Sequence, residues 1–147
     1  MDWPEYFAQR RIMPRLKAAT DSGNLPLQLV PKIEGILSHL SQLCGPKIEP
    51  SLLHGDAHSN NFLSTDKGLV MIDPSVYFGH PEIDLASVNL FTPVPEDLIQ
   101  GYQEVAAIDS GFSQRRNLWL IPAYLAMVQL EGPRHLDKLM AAIKIYL

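Results

Sequence analysis

The sequence predicts a mainly helical α+β fold with one short β-hairpin, and three observations predict it. Apolar residues recur at three- and four-residue intervals from Leu29 to Leu40 and through most of the chain after Tyr77, the period of an amphipathic helix. Between Glu49 and Asp73 the pattern changes to short apolar runs, Leu52-Leu53, Phe62-Leu63 and Leu69-Ile72, separated by polar residues, which suits short strands. No internal repeat, low-complexity tract or flexible linker interrupts the chain, and 147 residues suit one domain spanning 1–147.

Asp2, followed three residues later by Glu5, has the form of an N-terminal capping box, with Pro4 in the first turn where a missing N–H costs nothing. A helix is expected to start there, with Tyr6, Phe7, Met13 and Leu16 as its apolar stripe and a bend or break at Pro14. Asp21-Ser-Gly-Asn24 reads as a turn. Val30, Ile33, Ile36, Leu37 and Leu40 then mark a second helix, running from Leu29 to near Gly45-Pro46. Thr65-Asp66-Lys67-Gly68 is the expected hairpin turn. Beyond Tyr77 four helices are expected: Leu85 to Phe91, about Pro95 to Ile108, about Gln114 to Leu130, and Leu136 to the end.

Composition narrows the function. Twelve Lys and Arg against sixteen Asp and Glu give a net charge of −4, and no basic run is present that could neutralise a phosphate backbone, so nucleic acid is not an expected partner. One cysteine, Cys44, excludes an internal disulfide framework and points to a reduced compartment, the cytoplasm. The N-terminal residues lack a basic and then apolar leader, and no apolar run reaches the roughly 18 residues of a spanning helix, so membrane insertion is not expected either.

The polar residues concentrate at His54-Gly55-Asp56-Ala57-His58-Ser59-Asn60-Asn61, with Asp73 twelve residues further on. An Asp, an Asn five residues later and an Asp closing the next hairpin form the arrangement that phosphoryl transfer by kinases requires. One carboxylate must meet the substrate hydroxyl, while the Asn and the second carboxylate offer hard oxygens to magnesium on the ATP phosphates. Asp56 would accept the hydroxyl proton and Gly55 would permit the turn; His54, counted with Asp56 among the catalytic residues, suits a brace of the loop from inside more than a proton carrier, and Asn61 and Asp73 would be the oxygen ligands. Each residue alone is also at home in an ordinary turn; the order and spacing of the set, flanked by strand-like runs, argue for chemistry.

A metal-hydrolase reading uses the same residues differently, with His54, Asp56 and His58 as ligands. It needs further ligands, and His39, His80 and His135 are each isolated in helical or turn contexts. A Ser or Cys nucleophile has less support, because no Gly-x-Ser-x-Gly elbow occurs and Cys44 ends an apolar helix.

Two stretches resemble the fructosamine (ketosamine) kinases, within the wider aminoglycoside-phosphotransferase group that shares the protein-kinase fold. Leu52-Leu-His-Gly-Asp-Ala-His-Ser-Asn-Asn-Phe-Leu63 looks like that family's catalytic loop, and Ile72-Asp-Pro-Ser-Val-Tyr-Phe-Gly-His-Pro-Glu-Ile-Asp-Leu-Ala86 like its metal loop and following helix. Trp3-Pro-Glu-Tyr-Phe with Arg11, and the segment Ile108 to Trp119, are similar to family segments as well, so the likeness spans nearly the whole chain. The resemblance implies the C-terminal lobe of a protein-kinase-like fold, with ATP and Mg2+ as cofactors and a sugar–amine adduct as the small-molecule substrate. It makes Asp56 the catalytic base and Asn61 and Asp73 the magnesium ligands. Asp84 becomes a carboxylate that steadies the catalytic loop, although its place before Leu-Ala-Ser-Val suits a helix N-cap equally. His58 departs from the Trp often found there.

The family's N-terminal lobe supplies a loop over the phosphates and a Lys that pairs with them. No glycine-rich stretch precedes His54 here, and Lys17, Lys32 and Lys47 lie in helix or turn contexts. Two expectations of different class follow: a phosphotransferase that is weak or inactive alone, or a non-catalytic, truncated kinase-like lobe acting as a binding or assembly module. A lobe on its own would expose apolar surface, from which self-association into a homo-oligomer is expected.

Overall fold

In the computed structural model, which describes residues 2–147, the chain is mainly helical with two small antiparallel two-stranded sheets. It divides into two compact units, one comprising the segment through Pro46 together with Asn117–Leu147, the other Lys47–Arg116. Among the described residues no helix is long and apolar enough to cross a membrane.

The first unit begins with α1 (Trp3–Tyr6), capped by Asp2, whose Oδ1 accepts the Glu5 N–H at 3.0 Å. Pro14 does not break the helical path. A π-helical segment at Phe7–Ile12 precedes α2 (Met13–Asp21), which carries Pro14 in its first turn, and Met13 N–H bonds back to Ala8 O. A wider π turn puts residues five apart on one face. Phe7 and Ile12 are therefore both buried, while Met13, expected in the apolar stripe, is 52% exposed.

The expected second helix is divided into a 3-10 turn at Leu27–Leu29, α3 (Val30–Leu37) and α4 (Leu40–Leu43). His39 lies between them at φ −112°, ψ 8°, outside the helical region. Ile33, Ile36 and Leu40 nonetheless remain buried, so the apolar period survives the break. Cys44 is buried.

Two more helices complete this unit: α7 (Phe112–Glu131), from Asn117 onward, and α8 (Leu136–Lys144). Pro122 lies inside α7 and removes one backbone donor. Leu118, Ile121, Leu125 and Val128 around it are wholly buried, and their burial holds the helix together across the proline. The core is closed by aromatic contacts, Phe7 edge-on to Trp119 at 5.1 Å and Trp3 at 6.4 Å from the same ring. The Tyr146 hydroxyl accepts the Leu118 N–H at 2.9 Å.

The second unit holds both sheets. β2 (Phe62–Thr65) and β3 (Gly68–Met71) form the expected hairpin, with Thr65 opposite Gly68 across Asp66-Lys67. The Thr65 hydroxyl donates to Gly68 O at 2.7 Å and accepts the Lys67 N–H at 3.2 Å, which closes the turn. A second pairing, absent from the sequence reading, joins β1 (Ser51–Leu53) to β4 (Tyr77–Gly79), with Leu52 opposite Phe78. Three residues are too few to display a period of two, which is why β4 was not legible.

Helix α5 (Glu82–Ser87) starts three residues earlier and ends four earlier than the expected Leu85–Phe91. Pro81, at φ −59°, supplies its entry, and Phe91 lies beyond its end. α6 (Glu96–Val105) occupies the inner part of its expected range.

Candidate functional site

The site is built on the loop between β1 and β2. Leu53 is buried and anchors the strand end; the loop then turns through Gly55 at φ +78°. A Cβ added at Gly55 would lie 2.0 Å from Ser75 O, and the Ser75 N–H donates to His54 O at 2.8 Å. Only glycine permits both the left-handed turn and this approach of the two chain segments.

Further on, the His58 N–H donates to Asp56 O and the Asn61 N–H to His58 O, each at 2.9 Å, folding the loop onto itself. Ala57, 3% exposed, forms its floor. The Asn61 side chain is buried, and its Nδ2 donates to Asp56 O at 2.9 Å and to Asp56 Oδ2 at 3.1 Å. Asp56 and Asn61 are thereby in direct contact, while the Asp56 side chain is 52% exposed and open to solvent.

Asp73 is tied to the same loop through its neighbour. The Ile72 N–H donates to Asn61 O at 3.0 Å, and His54 Nε2 lies 3.0 Å from Ile72 O. The Asp56 N–H reaches His54 Nδ1 at 3.3 Å, so Nδ1 is the acceptor and Nε2 carries the proton donated to Ile72. Both nitrogens of His54 are thus engaged with backbone, as a brace would be, and neither is presented to a ligand. Asp73 itself is exposed and sits at φ +52°, among the described residues the one non-glycine residue with positive φ. That conformation costs roughly 1 kcal/mol for a side-chain-bearing residue, and such strain persists where surrounding contacts impose it.

Asp84 lies in the first turn of α5, whose N-cap is Pro81 with no side-chain capping bond. Its carboxylate faces the loop: Oδ2 accepts the His54 N–H at 2.7 Å and Oδ1 the Gly55 N–H at 3.0 Å. Burial pushes this carboxyl above the usual range, and the two N–H donors oppose that shift. The Tyr102 hydroxyl is raised as well, first by burial and then by the charges of Asp84 and Glu82.

A charge cluster with a buried ion pair at its centre, which the sequence pattern does not single out, sits at the head of α5. Arg115 grips Glu82 with two bonds, Nε to Oε2 at 2.9 Å and Nη2 to Oε1 at 2.6 Å, and Nη2 also reaches Asp109 Oδ1 at 2.5 Å. The hydrogen bond to Glu82 foremost raises the guanidinium above its usual value, and Arg115 holds the Asp109 carboxyl below its own. His80 is buried beside them, its Nδ1 accepting the Glu82 N–H at 3.3 Å. The available signal was Glu82 two residues before Asp84 in one motif, but nothing in sequence ties it to an Arg 33 residues away.

The donor set fits a hard cation: an amide oxygen from Asn61 and a carboxylate from Asp73, neither nitrogen nor sulfur. The Asn61 nitrogen is committed to Asp56, which leaves Oδ1 as the end of the amide not tied to that residue. Among the described residues no group of three or more His, Cys, Asp or Glu side chains is gathered as a metal cage. With His54 spent on backbone contacts, the hydrolase arrangement of His54, Asp56 and His58 loses a ligand.

Residues 1–147 match, over their whole length, the family model described as Fructosamine kinase. The Escherichia coli K12 protein "Probable ketoamine kinase YniA" is 33% identical over 148 residues, covering 95% of this chain and 50% of its own. "Protein-ribulosamine 3-kinase, chloroplastic" of Arabidopsis thaliana is 30% identical over 158 residues, 99% of this chain and 45% of its own. A solved structure titled "putative fructosamine-3-kinase", from Thermobifida fusca, aligns with a TM-score of 0.92 at 35% identity, covering 99% of this chain and 51% of that one. The chain spans about half the length of the curated relatives it matches. With a family model that covers every residue and relatives at this level of identity, the chain belongs to the fructosamine kinase family.

Proposed function

We propose that this chain carries the catalytic loop and metal-binding residues of an ATP- and magnesium-dependent phosphotransferase, a single kinase-like C-terminal lobe acting in the cytoplasm on a hydroxyl of a sugar–amine adduct. The observation that carries this reading is the contact between the Asp56 carboxylate and the Asn61 amide, beside a strained Asp73 whose neighbour Ile72 is bonded to Asn61. Asp56, half exposed, is the group that meets the substrate hydroxyl and accepts its proton. Asn61 and Asp73 are the ligands that hold magnesium, which when bound neutralises charge on the ATP phosphates. Gly55, His54 and Asp84 keep the loop in shape. The printed names of the relatives, a ketoamine kinase, a ribulosamine 3-kinase and a fructosamine-3-kinase, support a ketosamine as the substrate class.

Phosphoryl transfer depends almost wholly on positioning and charge neutralisation. Lys17 is paired to Asp21 within α2 and Lys32 lies in α3, the helical contexts expected of them, and the chain spans about half the length of its curated relatives. Weak or absent turnover by this chain alone is the expectation.

The second reading, a non-catalytic binding or assembly module, is favoured by one observation. Leu52 and Phe78, paired across β1 and β4, are 64% and 68% exposed, and Val76 beside them is 62% exposed. Apolar strand surface of this kind finds a partner, and a homo-oligomer is the simplest.

Calorimetric titration with ATP and magnesium, on the wild type and on Asp73→Ala, separates the readings. Binding that is lost in the variant supports the phosphotransferase; no binding by either protein favours the module.

A further inference from the structure

We propose that His58 is a positioning residue for the Asp56 carboxylate, an assignment that rests on the reading of Asp56 as the proton acceptor. His58 Nε2 lies 3.3 Å from Asp56 Oδ1, and Asn61 Nδ2 lies 3.1 Å from Oδ2, so the carboxylate is flanked by a nitrogen at each oxygen. At 3.3 Å the two groups are in close contact without the geometry of a formed hydrogen bond, and such pairs in unliganded sites can tighten when substrate binds.

The imidazole is the better-held partner of the two. Its side chain is 15% exposed against 52% for Asp56, and its ring packs edge-on to Phe91 with centroids 4.8 Å apart. The His58 backbone N–H bonds to Asp56 O at 2.9 Å, which fixes the distance between the residues along the chain. A ring held by packing and backbone can hold an exposed carboxylate in turn.

Chemistry also assigns the proton. His58 Nδ1 is buried and has no hydrogen-bond partner among the described residues. With the proton on Nδ1, a donor would be buried unpaired while the bare lone pair of Nε2 faced a carboxylate; both are unfavourable. With the proton on Nε2, the donor faces Oδ1. Asn61 already occupies one lone pair of Oδ2; closing the Nε2–H contact on Oδ1 would then fix the carboxylate plane and leave the remaining lone pairs for the acceptor hydroxyl. Positioning errors of about 1 Å at such a group cost on the order of a hundredfold in rate.

The test has one arm that does not depend on catalysis. Long-range proton–nitrogen NMR of the His58 ring, in mildly alkaline buffer, reads the tautomer ratio in wild type and in Asp56→Ala. A wild-type excess of Nε2–H above about tenfold, falling severalfold in the variant, is expected. A dominant Nδ1–H form, or the same ratio in both proteins, overturns the assignment. In the kinetic arm, with magnesium-ATP and an N-fructosyl amino acid, His58→Phe keeps the packing on Phe91 and removes the donor. It is expected to lower kcat about tenfold to a hundredfold with KM for ATP unchanged, while His58→Gln, which retains an N–H, recovers to within about threefold. Equal losses in the two variants overturn positioning. A wild type that transfers no phosphate, the outcome already expected of this chain alone, silences the kinetic arm, and the tautomer result then decides the His58 contact by itself.

Discussion

The Asp84 carboxylate accepts the backbone N–H of His54 at 2.7 Å, and with its second oxygen that of Gly55 at 3.0 Å, across 30 and 29 residues of chain. A carboxylate raised in pKa by burial is kept in place by two donors that have no other acceptor in those bonds. Asp84→Ala leaves both N–H groups without it, at a cost of about 1–3 kcal/mol per unsatisfied donor. Asp84→Asn retains one acceptor and turns an NH2 toward the other donor. Amide hydrogen exchange at His54 and Gly55 is expected to accelerate in both variants, more in Asp84→Ala. Unchanged exchange at these two amides contradicts the role.

Gly55→Ala tests the turn itself. Its new Cβ meets Ser75 O at 2.0 Å in a left-handed conformation, so strain and collision add. Gly23, at φ +75° with open space around it, is the control that carries the strain alone. Chemical unfolding is expected to show a loss of about 1 kcal/mol for Gly23→Ala and about 2–3 kcal/mol for Gly55→Ala. Equal losses would mean that the approach of Ser75 to Gly55 does not constrain the loop.

Legibility of this fold followed the range of the signal. The Asp2 cap, the hairpin turn at Thr65–Gly68 and the apolar period of α3 are set by residues a few positions apart, and sequence displays them directly. The pairing of Leu52 with Phe78 and the ion pair of Glu82 with Arg115 join residues 26 and 33 positions apart, and no local pattern encodes either. Met13 and Ile12 exchanged places because one π turn shifts the helical phase, which a fixed period of 3.6 misses. At the candidate site the cluster from His54 to Asn61 was legible as a cluster. The direction of Asp84 was not, because capping a helix and bonding a distant loop demand the same residue type.

His80 supplies a pH signature. Burial foremost, with the charge of Arg115, lowers its pKa below 6.5, against the opposing pull of Glu82 and Asp109. The unfolded chain therefore binds this proton first as pH falls. The stabilisation is fully present above about pH 6.5 and is lost as pH drops through that value toward the folded one. Asp84, raised by burial, acts in the opposite sense, and the lowered Asp109 acts only below about pH 4. Urea midpoints are expected to fall between about pH 7.5 and 5.5 in the wild type and to fall less in His80→Gln. Parallel profiles for the two proteins would remove His80 as the cause.

Arg115 gives the largest expected stability effect. It donates to both oxygens of a Glu82 carboxylate that is 5% exposed, at the head of the helix that carries Asp84. Removing one member of a buried pair strands the other charge, at about 3–5 kcal/mol, whereas replacing both with apolar groups of similar size is often close to neutral. Arg115→Met is therefore expected to lower stability by about that amount, and the double variant Arg115→Met with Glu82→Leu to recover most of it. The recovery is what separates a buried ion pair from simple loss of packing, since a double variant that is worse than the single one would mean that the two charges do not compensate each other. If the pair also fixes α5, amide exchange at His54 and Gly55 rises in Arg115→Met and returns toward the wild-type rate in the double variant, reporting on the loop through Asp84.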